Sequence, residues 1–324
     1  MHAVRQLSAS GLPVDPVRVV DVRDGDVPPE EFSFGPQVIV GVLGDEASPD
    51  TSRRMSGCTV VLSRTPAGDA VVVDDLDAAV AELVEAVAAH PVAAVALHQL
   101  LGMQERLPVA GGLAAESALY SALLAGEDFA RWRAARPVRH APDLDDPVRV
   151  ARDGDRLLVT LDRPARRNAY NRAMRDALVD AFTVAALDET LAVELDATGP
   201  DFCAGGDLDE FGTARDVAAA HVLRTAQSAA SALHTVSGRT TVRLKGNCIG
   251  AGIELPAFAG RVIAEPGTRI RLPELAMGLV PGAGGTVSLT RRIGRRRTAW
   301  LALTGAVLPA STALEWGLID EIRS

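Results

Sequence analysis

The sequence predicts an α/β protein, and three observations carry that prediction. Short apolar runs rich in valine, isoleucine and leucine alternate with stretches of helical periodicity, the order expected of parallel strands joined by helices. Glycine-rich turns follow several of these runs, at Gly199–Asp207, Gly246–Gly252 and Pro281–Gly285. The 324 residues suffice for one large domain or two, and 48% hydrophobic with 23% charged residues is ordinary for a globular protein with a real core.

Residues 1–35 are polar and rich in proline and aspartate, with a β-prone piece at Val17–Val22. Gln37–Gly44, Cys58–Arg64 and Ala70–Val73 read as short buried strands. Asp74 or Asp75 can then cap a helix whose apolar positions are Leu76, Val80, Leu83, Val84 and Val87. His90-Pro91 breaks it, and a second helix runs over Val92–Leu101. After Gly111-Gly112, Leu113–Trp132 reads as a third, with Leu119, Leu123 and Leu124 inward. The segment 136–147 is proline-rich without periodicity and reads as a linker.

A second unit starts at about Val148. Leu157–Leu161 is a strand, Asn168 or Asn171 caps a helix with Met174, Leu178 and Phe182 inward, and Leu191–Thr198 is the next strand. Val217–Val236, Thr286–Leu303 and Ala310–Trp316 read as helices, and Thr240–Lys245, Gly260–Ala264 and Thr268–Leu272 as strands. The expected domains are therefore 1–143 and 144–324.

Composition narrows the function. A formal charge of −9 argues against nucleic acid as the main partner. No apolar run reaches the roughly 18 residues of a membrane helix, and the N-terminus lacks an apolar signal region. Cys58, Cys203 and Cys248 cannot pair fully, so a cytoplasmic location is expected. Six scattered histidines predict no metal site. The arginines at 291, 292 and 295–297 suit a solvated helix face as well as an anion site.

The stretch Gly246–Thr286 carries the chemistry. Gly250-Ala251-Gly252 is a turn whose small residues let backbone approach a ligand, with free N–H groups if a helix starts there. Glu254 sits one turn inside, Glu274 follows Pro273, and Pro281-Gly-Ala-Gly-Gly285 makes another tight passage. Backbone donors with two carboxylates suit chemistry on a carbonyl whose oxygen becomes negative. The glycine spacing does not match a dinucleotide fingerprint.

These motifs, taken in order from Val148 to Ile322, resemble the crotonase, or enoyl-CoA hydratase/isomerase, superfamily. The resemblance rests on Arg163-Pro-Ala-Arg-Arg-Asn-Ala169, Phe202-Cys-Ala-Gly-Gly-Asp-Leu208, Gly246-Asn-Cys-Ile-Gly-Ala-Gly-Ile-Glu-Leu255, Pro273-Glu274, Gly278-Leu-Val-Pro-Gly-Ala-Gly-Gly285, Leu303-Thr-Gly305 and Gly317-Leu-Ile-Asp320. It implies a spiral of ββα units, a coenzyme A thioester as substrate, no tightly bound cofactor, and a homo-oligomer, trimer or hexamer. It places the thioester oxygen between the N–H groups of Gly206 and Ala251, and the adenine near Ala169 and Ala204, with Arg166 near the phosphates. Glu at both 254 and 274 is the hydratase pattern, one positioning and activating water and the other protonating the substrate. An isomerase, another acyl-CoA reaction, or a non-catalytic binding protein of the same fold are the alternatives. Pro256, Gly260, Lys245 and Asn247 depart from the family pattern and are expected to reshape the acyl pocket.

Family members continue past the Gly-Leu-Val-Asp strand end into helices that cover the site and build the trimer. Residues 71–137 resemble those helices, closing with Glu116, Glu127-Asp128, Trp132 and Arg136-Pro137. Residues 1–143 are therefore expected to be a degenerate crotonase-like copy whose helices, over 75–133, take over the covering role.

Overall fold

The computed structural model describes residues 7–23, 34–44, 54–137 and 146–323. Most of the expected linker 136–147, and parts of the polar segment 1–35, lie outside the described residues.

The first half holds β1 (Val17–Asp21), β2 (Val38–Leu43), β3 (Val60–Ser63) and β4 (Val71–Val72), a parallel sheet in sequence order. Helices α1 (Leu76–Ala89), α2 (Pro91–Gln104), α3 (Val109–Leu124) and α4 (Glu127–Ala134) follow. Asp75 is the cap of α1, its Oδ1 accepting from the Ala78 amide at 3.0 Å. The buried stripe of α1 is Ala79, Leu83 and Val87, whereas Val84 falls on the outer side. Pro91 starts α2, which turns 109° from α1.

One helix was expected over Leu113–Trp132, but the structure has two. The first starts earlier, at Val109 behind Pro108, and runs through Gly111-Gly112. Helical glycine costs about 1 kcal/mol relative to alanine. Gly112 is accommodated because that face is pressed on its neighbours, and a Cβ there would lie 2.9 Å from Val287 Cγ2. Gly126, in extended conformation, ends the first helix, and α4 leaves at 62°.

The second half contains β5 (Val148–Asp153), β6 (Arg156–Leu161), α5 (Arg172–Leu187), β7 (Ala192–Ala197), α6 (Val217–Ala226), α7 (Ala229–Thr235), β8 (Thr240–Leu244), β9 (Asn247–Ile249), α8 (Ala251–Glu254), β10 (Arg261–Ala264), β11 (Arg269–Arg271), α9 (Gly285–Ile293), α10 (Arg295–Thr304), β12 (Leu308–Pro309), α11 (Ala310–Trp316) and β13 (Glu321–Ile322). The main sheet runs β13-β10-β8-β7-β6-β5 and is parallel except for the β5–β6 hairpin. A smaller sheet runs β12-β11-β9. After β8 and β10 the chain drops into this second layer as β9 and β11, and after β7 it does so at Cys203, which bridges Cys248 in parallel. A helix then returns to the main sheet, so the repeating unit is ββα.

Asn171, not Asn168, caps α5, accepting from the Met174 amide at 2.9 Å. The helix expected over Val217–Val236 breaks at Gln227-Ser228, where the Ser228 hydroxyl caps α7. That expected over Thr286–Leu303 breaks at Gly294, whose φ of 82° suits glycine. Strands β5, β9, β12 and β13 were not among those expected: β5 is exposed over all but its first residue, and the others have only two or three residues, with no apolar run around them to mark them.

One apolar cluster runs through both halves. α9 packs on α2 and α3, and α10 packs on α1, α2 and β3. Much of the arginine cluster is engaged within the protein, although Arg291 stays exposed. Arg291 donates to Leu107 O at 2.9 Å, Arg292 to Ala257 O at 2.9 Å and Arg295 to Ser56 O at 2.6 Å, while Arg296 pairs with Asp69. Residues 144–324 expressed alone are thus expected to be insoluble or inactive, because the faces of α9 and α10 that α1–α3 cover would meet water. Supplying residues 1–143 in trans should raise the soluble fraction, read by size-exclusion chromatography; a soluble, active fragment alone would contradict this.

Candidate active site

A cavity of about 690 Å³ lies between the two halves, walled by α3 and α4 on one side and by the turns after the second-layer strands on the other. Glu254 and Glu274 both line it. Glu254 ends the single turn of α8, and its Oε2 accepts from the amides of Ala283 at 2.8 Å and Gly285 at 2.9 Å. Burial pushes its carboxyl up to about 7, against the pull of those donors. Glu274 opens the turn after Pro273, and its Oε2 is buried without a partner among the described residues. Burial, then the charge of Glu254, hold Glu274 well above the usual carboxylate range.

The two acids meet over Gly250. A Cβ built there would lie 2.5 Å from Glu274 Oε1 and 3.6 Å from Glu254 Oε1, and φ is 49°. Only glycine satisfies both the conformation and the space.

The next residue, Ala251, is the first of α8, so its N–H has no helical partner. The N–H of Gly206 occupies the corresponding turn one unit earlier. Neither amide donates to another group among the described residues, and both residues line the cavity. The second-layer ladder brings the two turns together: the Ile249 amide donates to Cys203 O at 2.9 Å and the Cys203 amide to Asn247 O at 3.1 Å. The backbones touch at Gly246, where a Cβ would lie 2.1 Å from Pro200 O, and at Gly252, where one would lie 2.5 Å from Cys203 O.

Glu116 is a third acid in the site. The sequence reading noted it only within a closing pattern, although it is the one charged side chain of α3, an otherwise uncharged helix. It is buried and lines the cavity. Its Oε1 accepts from the Gly284 amide at 2.6 Å, and its Oε2 from the Thr286 amide at 2.9 Å and hydroxyl at 2.6 Å. Gln104 supports the arrangement, donating to the same hydroxyl at 2.8 Å. Burial and the charge of Glu254 push Glu116 up to about 8, while the three donors pull it down.

The expected coenzyme A contacts fall outside the cavity lining. Arg166 is engaged by Asp209 at 2.6 Å and Asp207 at 3.2 Å, and Asp207 also pairs with buried Arg163 at 2.8 Å. Ala169 O accepts from Arg163 Nη1 at 2.9 Å, and the Ala204 amide donates to Arg167 O at 3.0 Å. Asn168, at φ 53°, ties the motif to Thr198 and Asp201, so Arg163–Ala169 here braces the neighbouring turn. Nor do Pro256, Gly260, Lys245 and Asn247 line the cavity. Asn247 bonds Asp201 at 2.6 Å and Lys245 pairs with Asp196 at 3.6 Å. A Cβ at Gly260 would lie 2.6 Å from Ser237 O, which leaves no room for a side chain.

A family model described as enoyl-CoA hydratase/isomerase matches residues 156–324. The chain is 34% identical over 174 residues to a 2,3-dehydroadipyl-CoA hydratase of Escherichia coli (strain K12), covering 53% of this chain and 68% of that protein. It is 37% identical over 177 residues to an enoyl-CoA isomerase/hydratase of Mycosarcoma maydis, covering 51% of this chain and 64% of the relative. Among solved structures, an enoyl-CoA hydratase from Thermoplasma volcanium GSS1 matches at 34% identity and a TM-score of 0.50, over 55% of this chain and 71% of that one. One from Mycobacterium smegmatis matches at 30% identity and a TM-score of 0.51, over 55% and 70%.

Glu116 and Glu254 hold protons above the ordinary carboxyl value of 4.5. Their contribution to stability is therefore full below that value and is lost as pH rises through about 7 to 8. Glu116→Gln removes one of the titrating groups, so the fall of the urea midpoint between about pH 5 and 8 should be shallower than in the unmodified protein. Glu116→Ala should lower that midpoint at every pH, because a buried amide left without an acceptor costs about 1–3 kcal/mol.

Proposed function

Because this chain belongs to the enoyl-CoA hydratase/isomerase family and has its crotonase fold, we propose that it adds water to a 2-enoyl-CoA thioester. The observation that carries this reading is the convergence of Glu254 and Glu274 over Gly250, beside the open amides of Gly206 and Ala251. The thioester oxygen accepts from those two amides. Water attacks Cβ while Glu254 takes its proton, the double-bond electrons pass to the enolate, and Glu274 delivers a proton to Cα. The two environments suit this division. Glu254, whose Oε2 has two amide donors, ionises first, and Glu274, whose Oε2 is buried without a partner among the described residues and which feels the charge of Glu254, keeps its proton. An oxyanion donor of this kind is worth about 3–4 kcal/mol of barrier, and general acid–base help about 10²–10⁴-fold. Coenzyme A enters as part of the substrate, and the active species is a trimer or hexamer. Residues 1–143 act as a degenerate copy whose helices close the site.

The direct assay is loss of the conjugated-thioester absorbance of a short 2-enoyl-CoA; an isomerase would instead create conjugation from a 3-enoyl-CoA. Glu254→Gln and Glu274→Gln should each lose most of the hydration rate while still binding acyl-CoA, and full activity in either contradicts the assignment. Ala251→Pro should inactivate the protein and Ala251→Gly should not. Proline is tolerated at a first helical position and lacks the N–H that would bind the oxygen. The pH profile of kcat/KM should rise through about 7 as Glu254 ionises, and fall once Glu274 loses its proton.

A further inference from the structure

The cavity wall carries a cation that makes no ion pair among the described residues, although the Glu116 carboxyl lies near enough to favour its charge. Arg224 of α6 lines the cavity and is held entirely by neutral groups of α3. Its Nε donates to Ser117 Oγ at 3.1 Å, and its Nη2 to Ser117 O at 3.3 Å and to Ser121 Oγ. Its guanidinium lies over the Tyr120 ring, 5.2 Å from the centroid. His221, one turn back, shares the Ser117 hydroxyl at 3.0 Å. No carboxylate lies within ion-pair distance of Arg224 among the described residues. Arg163, Arg292 and Arg296 do have such partners, in Asp207 at 2.8 Å, Asp320 at 3.3 Å and Asp69, while Arg239 is held by the carbonyls of Ala185, Asp188 and Leu191 and faces no cavity.

A guanidinium has five N–H donors. Those of Nε and Nη2 are spent on Ser117 and Ser121, while Nη1 makes no hydrogen bond among the described residues. Partial burial already works against the charge, holding the pKa of Arg224 below the ordinary arginine value. Filling this wall with hydrocarbon would complete the desolvation and offer the cation nothing in return. A carboxylate would supply both the charge and acceptors for Nη1, by the short, strong bonds that ionised partners form. Arg224 would in turn offset the repulsion such a carboxylate meets from the three acids, since Glu116 sits on α3 beside the arginine's anchor. At 1.5 Å rise per residue, Glu116 and Ser121 are roughly 7.5 Å apart along the helix axis. The cation therefore spans the turn of α3 that follows Glu116, from Ser117 to Ser121, on the wall of the cavity that would hold a short acyl chain whose thioester sits at Gly206 and Ala251.

Resting on the acyl-CoA reading, we propose that Arg224 makes this a site for thioesters whose short acyl chain ends in a carboxylate. The test is calorimetric titration of the full-length protein with adipoyl-CoA, with hexanoyl-CoA of equal chain length, and with free coenzyme A. These saturated ligands bind without turnover, so the outcome does not depend on hydratase activity. The unmodified protein should bind adipoyl-CoA about tenfold or more tightly than hexanoyl-CoA, the loss expected when a buried charge is left unpaired. Arg224→Gln should abolish that preference and leave free coenzyme A unchanged, and Arg224→Lys should keep part of it. Equal affinity of the unmodified protein for the two thioesters overturns the proposal without any variant. Equal weakening of all three ligands by Arg224→Gln also overturns it, because the arginine would then be reading coenzyme A phosphates. If no thioester binds, the acyl-CoA reading falls with it, whereas hydration of enoyl-CoA without carboxylate preference sinks only the present proposal.

Discussion

The site depends on a helix that cannot cap itself. α9 begins at Gly285 behind Gly284, which has no side chain to satisfy the first amides of the helix. Two carboxylates from distant parts of the chain do so instead, on alternating amides: Glu254 takes 283 and 285, and Glu116 takes 284 and 286. The positive end of the helix dipole in turn favours negative charge on both acids in a place where burial opposes it. Capping, the position of the acid assigned to water activation, and the joining of the two halves are thus one set of hydrogen bonds. Altering any member alters the others.

That arrangement explains why three acids can share a small cavity. Each has a different balance of burial and donors. Glu116 accepts from three groups and Glu254 from two amides, while Glu274 Oε2 has no partner among the described residues. Side chains of one chemical type are thereby separated in proton affinity, which is what a reaction needing a base and an acid at one pH requires.

Much of this was legible in the sequence where a local rule suffices. β-branched runs marked the longer strands, and Asp75 and Asn171 marked helix starts by the hydrogen bond each can offer. Glu254 and Glu274 were legible as a pair through family resemblance, but the reason they meet, a left-handed glycine under both, is a property of the folded backbone. What escaped has a common cause. Gly126, Gly294 and Ser228 break helices whose apolar patterning continues across them, so periodicity alone joined the pieces. The ion pairs of Arg166 with Asp207 and Asp209 were not legible, because those acids come some forty residues later. Arg224 looked like one more polar position on an amphipathic helix, since the neutral Ser117 and Ser121 that hold it come about a hundred residues earlier.

The bonds from Glu116 to Thr286 span 170 residues. At a synthesis rate of about 5–20 residues per second, α3 emerges roughly 10–30 s before the helix it must cap. Throughout that interval the apolar faces of α1–α3 have no partner from α9 or α10. The first half therefore emerges with those faces uncovered, for an interval set by the order in which the two halves are encoded and not by how stable the finished fold is.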